Sequence, residues 1–326
     1  MSIRIAAIEV GHWHAVHDAA YLRHLVSMPE VDLIGVQDSD AALARKRAGE
    51  VGNPPIFTDY HQMLAESRPD FVLALGRHRQ MAKIAHDLLD RGLPFMMEKP
   101  MGVSAAEVES IAEKAARLKA YVSVPLFQRY QPFATRARQL LAEGRFGPIS
   151  HFYGRLNRPG PARYPAWDSA WMLDPAEAGG GCLRNLGSHG LDLFLHLTGE
   201  EARVTGAQIS RRAHGQRVED FASVLLRSAG GVLGTIEVGN TFPRVGTDGE
   251  WKLAWRDAIL TLKDGALKLA TADGDEVTQC GENEVRYLPA IRDALETWQR
   301  GAPPPISVHD CLRVVRLIDQ AYALAK

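Results

Sequence analysis

The tripeptide Glu98-Lys99-Pro100 follows directly on the short apolar run Pro94-Phe95-Met96-Met97. That run is bounded by Gly92 and reads as a buried strand. Lys99 therefore stands just past the carboxyl end of a strand, where open α/β sheets bind their ligands. An ammonium held there can hydrogen-bond a substrate oxygen and stabilise negative charge developing on it. A second reactive stretch begins at Gly179-Gly180-Gly181 and runs through Asn185, His189, Asp192 and His196, at spacings of four, three and four. On a helix from about Asn185 to Leu197 these four share one face, while Leu186, Leu191, Phe194 and Leu197 can enter a core. An imidazole is suited to proton transfer near neutral pH, which makes His189 a candidate acid or base. The preceding glycines let backbone approach a ligand closely.

The elements that must hold these residues alternate strand and helix over the first 120 or so positions, the pattern of a doubly wound parallel sheet. Strands are expected at Ile3–Val10, Val31–Val36, Ile56–Thr58, Phe71–Leu75, Phe95–Met97 and Tyr121–Val124. Helices are expected at about Ala15–Met28, Ala41–Val51, Tyr60–Glu66, Met81–Asp90 and from Ser104, where Ser104 and Glu107 form a capping-box signature. Pro132 suits the first turn of a helix ending at Glu143, followed by a strand over Ile149–Leu156. From Arg203 onward strands joined by tight turns predict an antiparallel sheet with one face exposed, with Ala229-Gly230-Gly231 and Lys263-Asp264-Gly265 as turns. Helices return at about Val285–Arg300 and His309–Ala325. The break falls near residues 122–130, giving domains 1–123 and 124–326. The fold class is an α/β doubly wound domain followed by an α+β domain with a large, mainly antiparallel open sheet.

Composition narrows the partners. The 326 residues carry 38 basic and 39 acidic side chains without long blocks of either sign. Neither nucleic acid nor an anionic membrane is therefore expected as a partner. No apolar run reaches the roughly 18 residues a membrane helix needs, and the N-terminus enters a strand pattern directly, so a cytoplasmic protein is expected. Cys182, Cys280 and Cys311 are widely separated and indicate neither a disulfide framework nor a zinc site. His12, His14 and His17 have no acidic or cysteine companion close by in sequence, and the His189/Asp192/His196 face reads as a helix face; no metal site is assigned.

Together the two reactive stretches resemble the glucose–fructose oxidoreductase / inositol dehydrogenase / MocA (Gfo/Idh/MocA) family of NAD(P)-dependent sugar and polyol dehydrogenases. The resemblance rests on Glu98-Lys99-Pro100, on Gly179–Gly181 with Gly187, His189 and Asp192, and on Thr58-Asp59-Tyr60, Phe127–Pro132 and Glu143–Ile149. Asn185 stands where the family has aspartate. The resemblance implies a Rossmann domain, a nicotinamide cofactor, a sugar or polyol substrate and a homodimer or homotetramer through the C-terminal sheet. It implies that Lys99, His189 and Asn185 are catalytic, with His189 as base, Lys99 on the same oxygen and Asn185 holding substrate hydroxyls. Asn185 is neutral and cannot itself act as a base. Arg129, Tyr164 and Trp167 are candidates to bind the sugar beside them.

The cofactor turn would be Glu9-Val10-Gly11-His12-Trp13-His14, in which only Gly11 remains of the Gly-x-Gly-x-x-Gly fingerprint. Gly11, His12 and Trp13 are expected at the cofactor, with Asp38 and Ser39 ending strand two, Gly76, Arg77 and His78 after strand four, and Glu98 and Lys99. Asp38 would accept hydrogen bonds from a ribose diol and repel a 2′-phosphate, so NAD is expected over NADP. Two other readings remain: a bound NAD used transiently to cleave a glycoside, and a catalytically silent ligand-binding protein.

Overall fold

The computed structural model describes residues 2–280 and 286–325. The chain divides into two compact units, one of Met1–Pro125, Ala162–Gly179 and Ala290–Leu312, the other of Leu126–Pro161, Gly180–Pro289 and Arg313–Lys326. A single cut near residues 122–130 thus gives only the first division, because two later segments return to the first unit.

In the first unit, β1 (Ile3–Ile8), β2 (Val31–Gln37), β3 (Ile56–Phe57), β4 (Phe71–Ala74), β5 (Phe95–Met97) and β6 (Val122–Ser123) form one sheet in the order β3-β2-β1-β4-β5-β6. Every pairing in it is parallel. Its connecting helices are α1 (Tyr21–Ser27), α2 (Ala41–Gly49), α3 (Tyr60–Ser67), α4 (His78–Asp90) and α5 (Ala105–Leu118). The strands read as near-continuous apolar runs because helices cover a parallel sheet on both faces. Local chemistry sets the helix starts. Asp40 and Asp59 accept from the first backbone N–H groups of α2 and α3, and the Ser104 hydroxyl accepts from Glu107 N–H at 3.4 Å. One expected helix is not continuous. In place of Ala15–Met28 there is a 3₁₀ turn at Trp13–Ala15 and then the short α1. Asp18 and Ala20 lie between them at φ 51° and 45°, a left-handed conformation that interrupts any right-handed helix.

The second unit holds an eight-stranded sheet in the order β14-β13-β12-β11-β7-β10-β9-β8. The strands are β7 (Ile149–Pro159), β8 (Ala202–Ser210), β9 (Phe221–Ser228), β10 (Leu233–Phe242), β11 (Asp248–Trp255), β12 (Ala258–Lys263), β13 (Ala266–Thr271) and β14 (Gly274–Gln279). All pairs are antiparallel except β7 with β10. Its core side packs Phe152, Val224, Ile236 and Leu253 against Phe133, Ala137 and Leu140 of α6 (Pro132–Glu143) and Leu191 and Phe194 of α9 (Ser188–Thr198). Leu317 and Ile318 of α11 (Val308–Leu324) join that cluster. The opposite face is polar: Tyr153 donates to Glu237 at 2.6 Å, and Arg155 pairs with Asp248 at 2.9 Å. This alternation is what a half-covered antiparallel sheet requires. Strand β14 is exposed along its whole length, and its Gly274-Asp275-Glu276 start carries no apolar alternation to announce it.

The short helices α7 (Arg163–Ala166) and α8 (Pro175–Ala178) lie in the segment that returns to the first unit. The last helices are α10 (Tyr287–Gln299) and α11; Val285, the expected start of the former, lies outside the described residues. Among the described residues no helix is long and apolar enough to cross a membrane, and no three His, Cys, Asp or Glu side chains are grouped to hold a metal ion.

Candidate active site

The turn after β1 is built around one glycine. Gly11 N–H donates to Asp38 Oδ2 at 2.6 Å, and a Cβ at residue 11 would lie 2.4 Å from Leu43 and 2.6 Å from that same oxygen. Only glycine fits so close an approach. Asp38 Oδ1 accepts from Asp40 N–H at 2.9 Å. Burial raises the pKa of Asp38, and the two backbone donors oppose the rise. Glu9, beside it at φ 54°, is also raised, first by burial and then by the charge of Asp38. Its side chain accepts from Gln37 Nε2 at 3.3 Å.

These groups line an open cleft of about 320 Å³. The structure brings five expected cofactor residues to it: Gly11, His12, Asp38, Gly76 and Arg77. Glu9, Asp40, Lys46, Asp168 and Trp171 complete most of its wall. Trp13, Ser39, His78, Glu98 and Lys99 are not among the residues lining this cleft. Trp13 packs instead with Tyr164, Met172 and Ala178, its ring stacked on His12 at 4.0 Å. Ser39 is exposed, and His78 is buried with Nδ1 2.8 Å from Ala178 O. Lys46 and Asp168 were not legible as site residues, since they meet at 2.7 Å across 122 positions of sequence.

The donor set fits a dinucleotide. Asp38 offers a carboxylate suited to a ribose diol, and the exposed guanidinium of Arg77 suits a diphosphate.

In the same unit, the residues after β5 form a buried polar array. Glu98 is 1 % exposed and Lys99 2 %. The Tyr21 hydroxyl donates to Glu98 Oε2, His14 Nδ1 lies 3.2 Å from that oxygen, and Lys99 Nζ is 4.0 Å from Oε1. Burial acts to raise the pKa of Glu98, but the charges of His14 and Lys99 prevail and hold it at about 2. Burial lowers that of Lys99, against the charge of Glu98.

In the second unit, Asn185 lies in a wide turn of π type, Leu183–Gly187, which passes into α9 and places His189 in its first turn. The expected helix from Asn185 thus begins as a π turn that passes without a break into α9, which carries His189, Asp192 and His196. A π turn of this kind often marks a functional position. Glu219 anchors it: Oε1 accepts from Gly181 N–H at 2.8 Å, Leu183 N–H at 3.0 Å and the Tyr322 hydroxyl at 2.7 Å. A Cβ on Gly181 would lie 2.3 Å from Glu219 O, which explains the third glycine of the run.

Two expected sugar-binding residues have structural partners. Arg129 reaches Asp192 through Nε at 2.9 Å and a terminal nitrogen at 2.6 Å. Tyr164 is buried against Trp13, ring centroids 5.6 Å apart, with the Arg163 guanidinium 4.3 Å from its ring. A ring enclosed this way has no open face for a sugar. Trp167 remains partly exposed and stacks on His17 at 5.3 Å.

A parallel sheet of this order with an acidic residue at the end of strand two is the pattern of a dinucleotide-binding domain. Residues 3–126 match the family described as oxidoreductase family, NAD-binding Rossmann fold, and residues 134–250 match the Gfo/Idh/MocA C-terminal domain. The chain belongs to the Gfo/Idh/MocA family of oxidoreductases. The rhizopine catabolism protein MocA of Rhizobium meliloti is 25 % identical over 74 % of this chain and 72 % of its own. Trans-1,2-dihydrobenzene-1,2-diol dehydrogenase of Bos taurus is 26 % identical over 76 % and 74 %. Among solved structures, levoglucosan dehydrogenase in complex with NADH and levoglucosan superposes with a TM-score of 0.88 at 18 % identity, over 100 % of this chain and 97 % of that one.

Proposed function

We propose that the protein oxidises a secondary alcohol of a sugar, inositol or related polyol, with NAD as hydride acceptor. The observation that carries this reading is the buried Glu98–Lys99 pair at the end of β5, in the same unit as the cleft that Gly11 and Asp38 line. Bound NAD supplies a nicotinamide that accepts hydride. The protein's own groups do the rest. His189 takes the hydroxyl proton, Lys99 hydrogen-bonds the oxygen as negative charge develops, and Asn185 orients neighbouring hydroxyls without carrying charge. Glu98 holds the lysine loop. Names among the relatives, a diol dehydrogenase and a levoglucosan dehydrogenase, support a polyhydroxylated substrate. We also read the protein as cytoplasmic and as a homodimer or homotetramer through the C-terminal sheet, where Leu225 and Ile259 are exposed.

A panel of sugars, inositols and glycosides followed at the NADH absorbance band, after a fluorescence titration of NADH itself, tests the reading. NADH release from a polyol supports it. Binding without turnover of any panel member would favour a silent binder, and consumption of a glycoside without net NADH would favour redox-assisted cleavage.

Cofactor choice is a separate expectation. Asp38 should make NAD bind more tightly than NADP, because its carboxylate meets a 2′-phosphate with like charge. In Asp38→Ala the difference should shrink by about tenfold, the effect of roughly 1.4 kcal/mol. Titration of both cofactors against both proteins checks this, and equal NAD and NADP affinity in the unsubstituted protein would refute it.

A further inference from the structure

We propose that Asp168 is a second determinant of cofactor choice. It holds the ammonium of Lys46, which would otherwise serve as counter-ion to the 2′-phosphate of NADP. The inference rests on the reading that the cleft lined by Gly11, Asp38 and Arg77 takes the dinucleotide, and it gives Lys46 and Asp168 a role which that reading leaves open.

Lys46 stands on the Asp38 side of the cleft. Helix α2 begins three residues after Asp38, and its residues Ala42, Leu43 and Lys46 line the cleft wall. Leu43 closes on the same point as Asp38, since a Cβ on Gly11 would lie 2.4 Å from one and 2.6 Å from the other. Lys46 follows Leu43 by three positions, so the two share a helix face. The other cation of the cleft, Arg77, follows β4, and β1 separates β4 from β2 in the sheet. Two strand spacings put it about 10 Å across the sheet from Asp38, toward a diphosphate rather than a 2′ position. A basic side chain near the ribose is what lets a domain of this kind accept a 2′-phosphate, and Lys46 is placed for it.

Asp168 takes that ammonium. Lys46 Nζ donates to Asp168 Oδ2 at 2.7 Å, and Arg47 Nη2 donates to the same oxygen at 3.2 Å. Arg47 also reaches Trp167 O at 3.4 Å, and its side chain is fully buried. It therefore fixes the carboxylate in place and cannot itself turn into the cleft. Burial acts to raise the pKa of Asp168, but Lys46 and Arg47 prevail and lower it, so the group is charged at neutral pH. The Asp40 carboxylate nearby is engaged by Ala42 and Leu43 N–H at 2.8 and 3.2 Å, the cap of α2. A 2′-phosphate entering beside Asp38 thus meets a second carboxylate and an ammonium already neutralised. The lysine end is exposed on a flexible four-carbon stem, so removing Asp168 leaves it able to turn to another anion.

The test titrates the full chain with NADH and with NADPH by fluorescence, at low ionic strength, where exposed charges are least screened. Residue 168 has φ 60°, so Asp168→Asn removes the charge and keeps a side chain that tolerates left-handed backbone. Asp168→Gly suits the same backbone and stands in should the asparagine variant fail to fold. In either variant the Kd for NADPH should fall about fivefold, the upper range for a partly exposed ion pair. The Kd for NADH should stay within about twofold, because its charge lies toward Arg77 and its 2′-hydroxyl is neutral. Adding Lys46→Met to the Asp168 variant should abolish the gain for NADPH. Simple loss of a like charge predicts instead that the gain survives without the lysine. NADPH affinity unchanged in the Asp168 variants that fold, or a gain that survives Lys46→Met, would overturn the proposal. Failure of the underlying reading looks different. NADH affinity indifferent to Asp38→Ala would defeat the assignment of the cleft, whereas NADH binding that needs Asp38, with NADPH indifferent to residue 168, would defeat only the role of Asp168.

Discussion

Lys99→Ala and His189→Ala are each expected to lower turnover by about 10²-fold or more, the usual contribution of a positioned acid or base. NAD affinity should stay within a few fold, because neither side chain is asked to hold the adenosine half and Lys99 does not line the cleft that Asp38 does. The expectation differs between the two in its pH dependence. Removing His189 takes away the proposed proton acceptor, so residual activity should rise as hydroxide becomes available. Removing Lys99 takes away stabilisation of the oxyanion, and the loss should persist across the range. Steady-state kinetics on a substrate found by the panel, with NADH binding measured in parallel, decides this. Near-normal turnover in either variant would remove that residue from the chemistry.

The order of elements around this site was legible because it rests on short-range signals. The apolar run before Glu98, the Ser104 cap and the proline at residue 132 each fix one boundary locally, and each element appears where those residues put it. The turn after β1 was not legible. Its sequence reads as helix from Ala15, yet Asp18 and Ala20 adopt left-handed backbone where neither residue is a glycine to announce it. Nor was the π turn at Asn185. The π turn is held by Glu219, 36 residues beyond Leu183, and a spacing of four between polar residues cannot reveal a carboxylate arriving from another segment. The cleft wall followed the same rule. Gly11 and Asp38 were visible as strand termini, whereas Lys46 and Asp168 are neighbours only in space. Aromatic side chains misled for a related reason. Tyr164 lies near the glycine run in sequence, but its ring completes a cluster with Trp13 and Met172.

Arg129 offers the largest expected effect on stability, and its partner supplies the reason. Asp192 belongs to the same helix as His189 and is 1 % exposed, so its charge depends on what faces it. Arg129 faces it with Nε at 2.9 Å and a terminal nitrogen at 2.6 Å, a two-pronged contact that lysine could not reproduce. Removing one member of a buried ion pair costs about 3–5 kcal/mol, because the other charge is left without compensation. Arg129→Ala should therefore lower the unfolding free energy by about 3 kcal/mol, toward the low end because Asp192 has further contacts. Urea unfolding at neutral pH measures it. Arg129→Met with Asp192→Leu should recover much of the loss, since no buried charge then remains. A sugar-binding role for Arg129 predicts the opposite pattern. Stability would change by less than about 1 kcal/mol, as for an ordinary exposed ion pair, KM would rise, and the double variant would recover nothing.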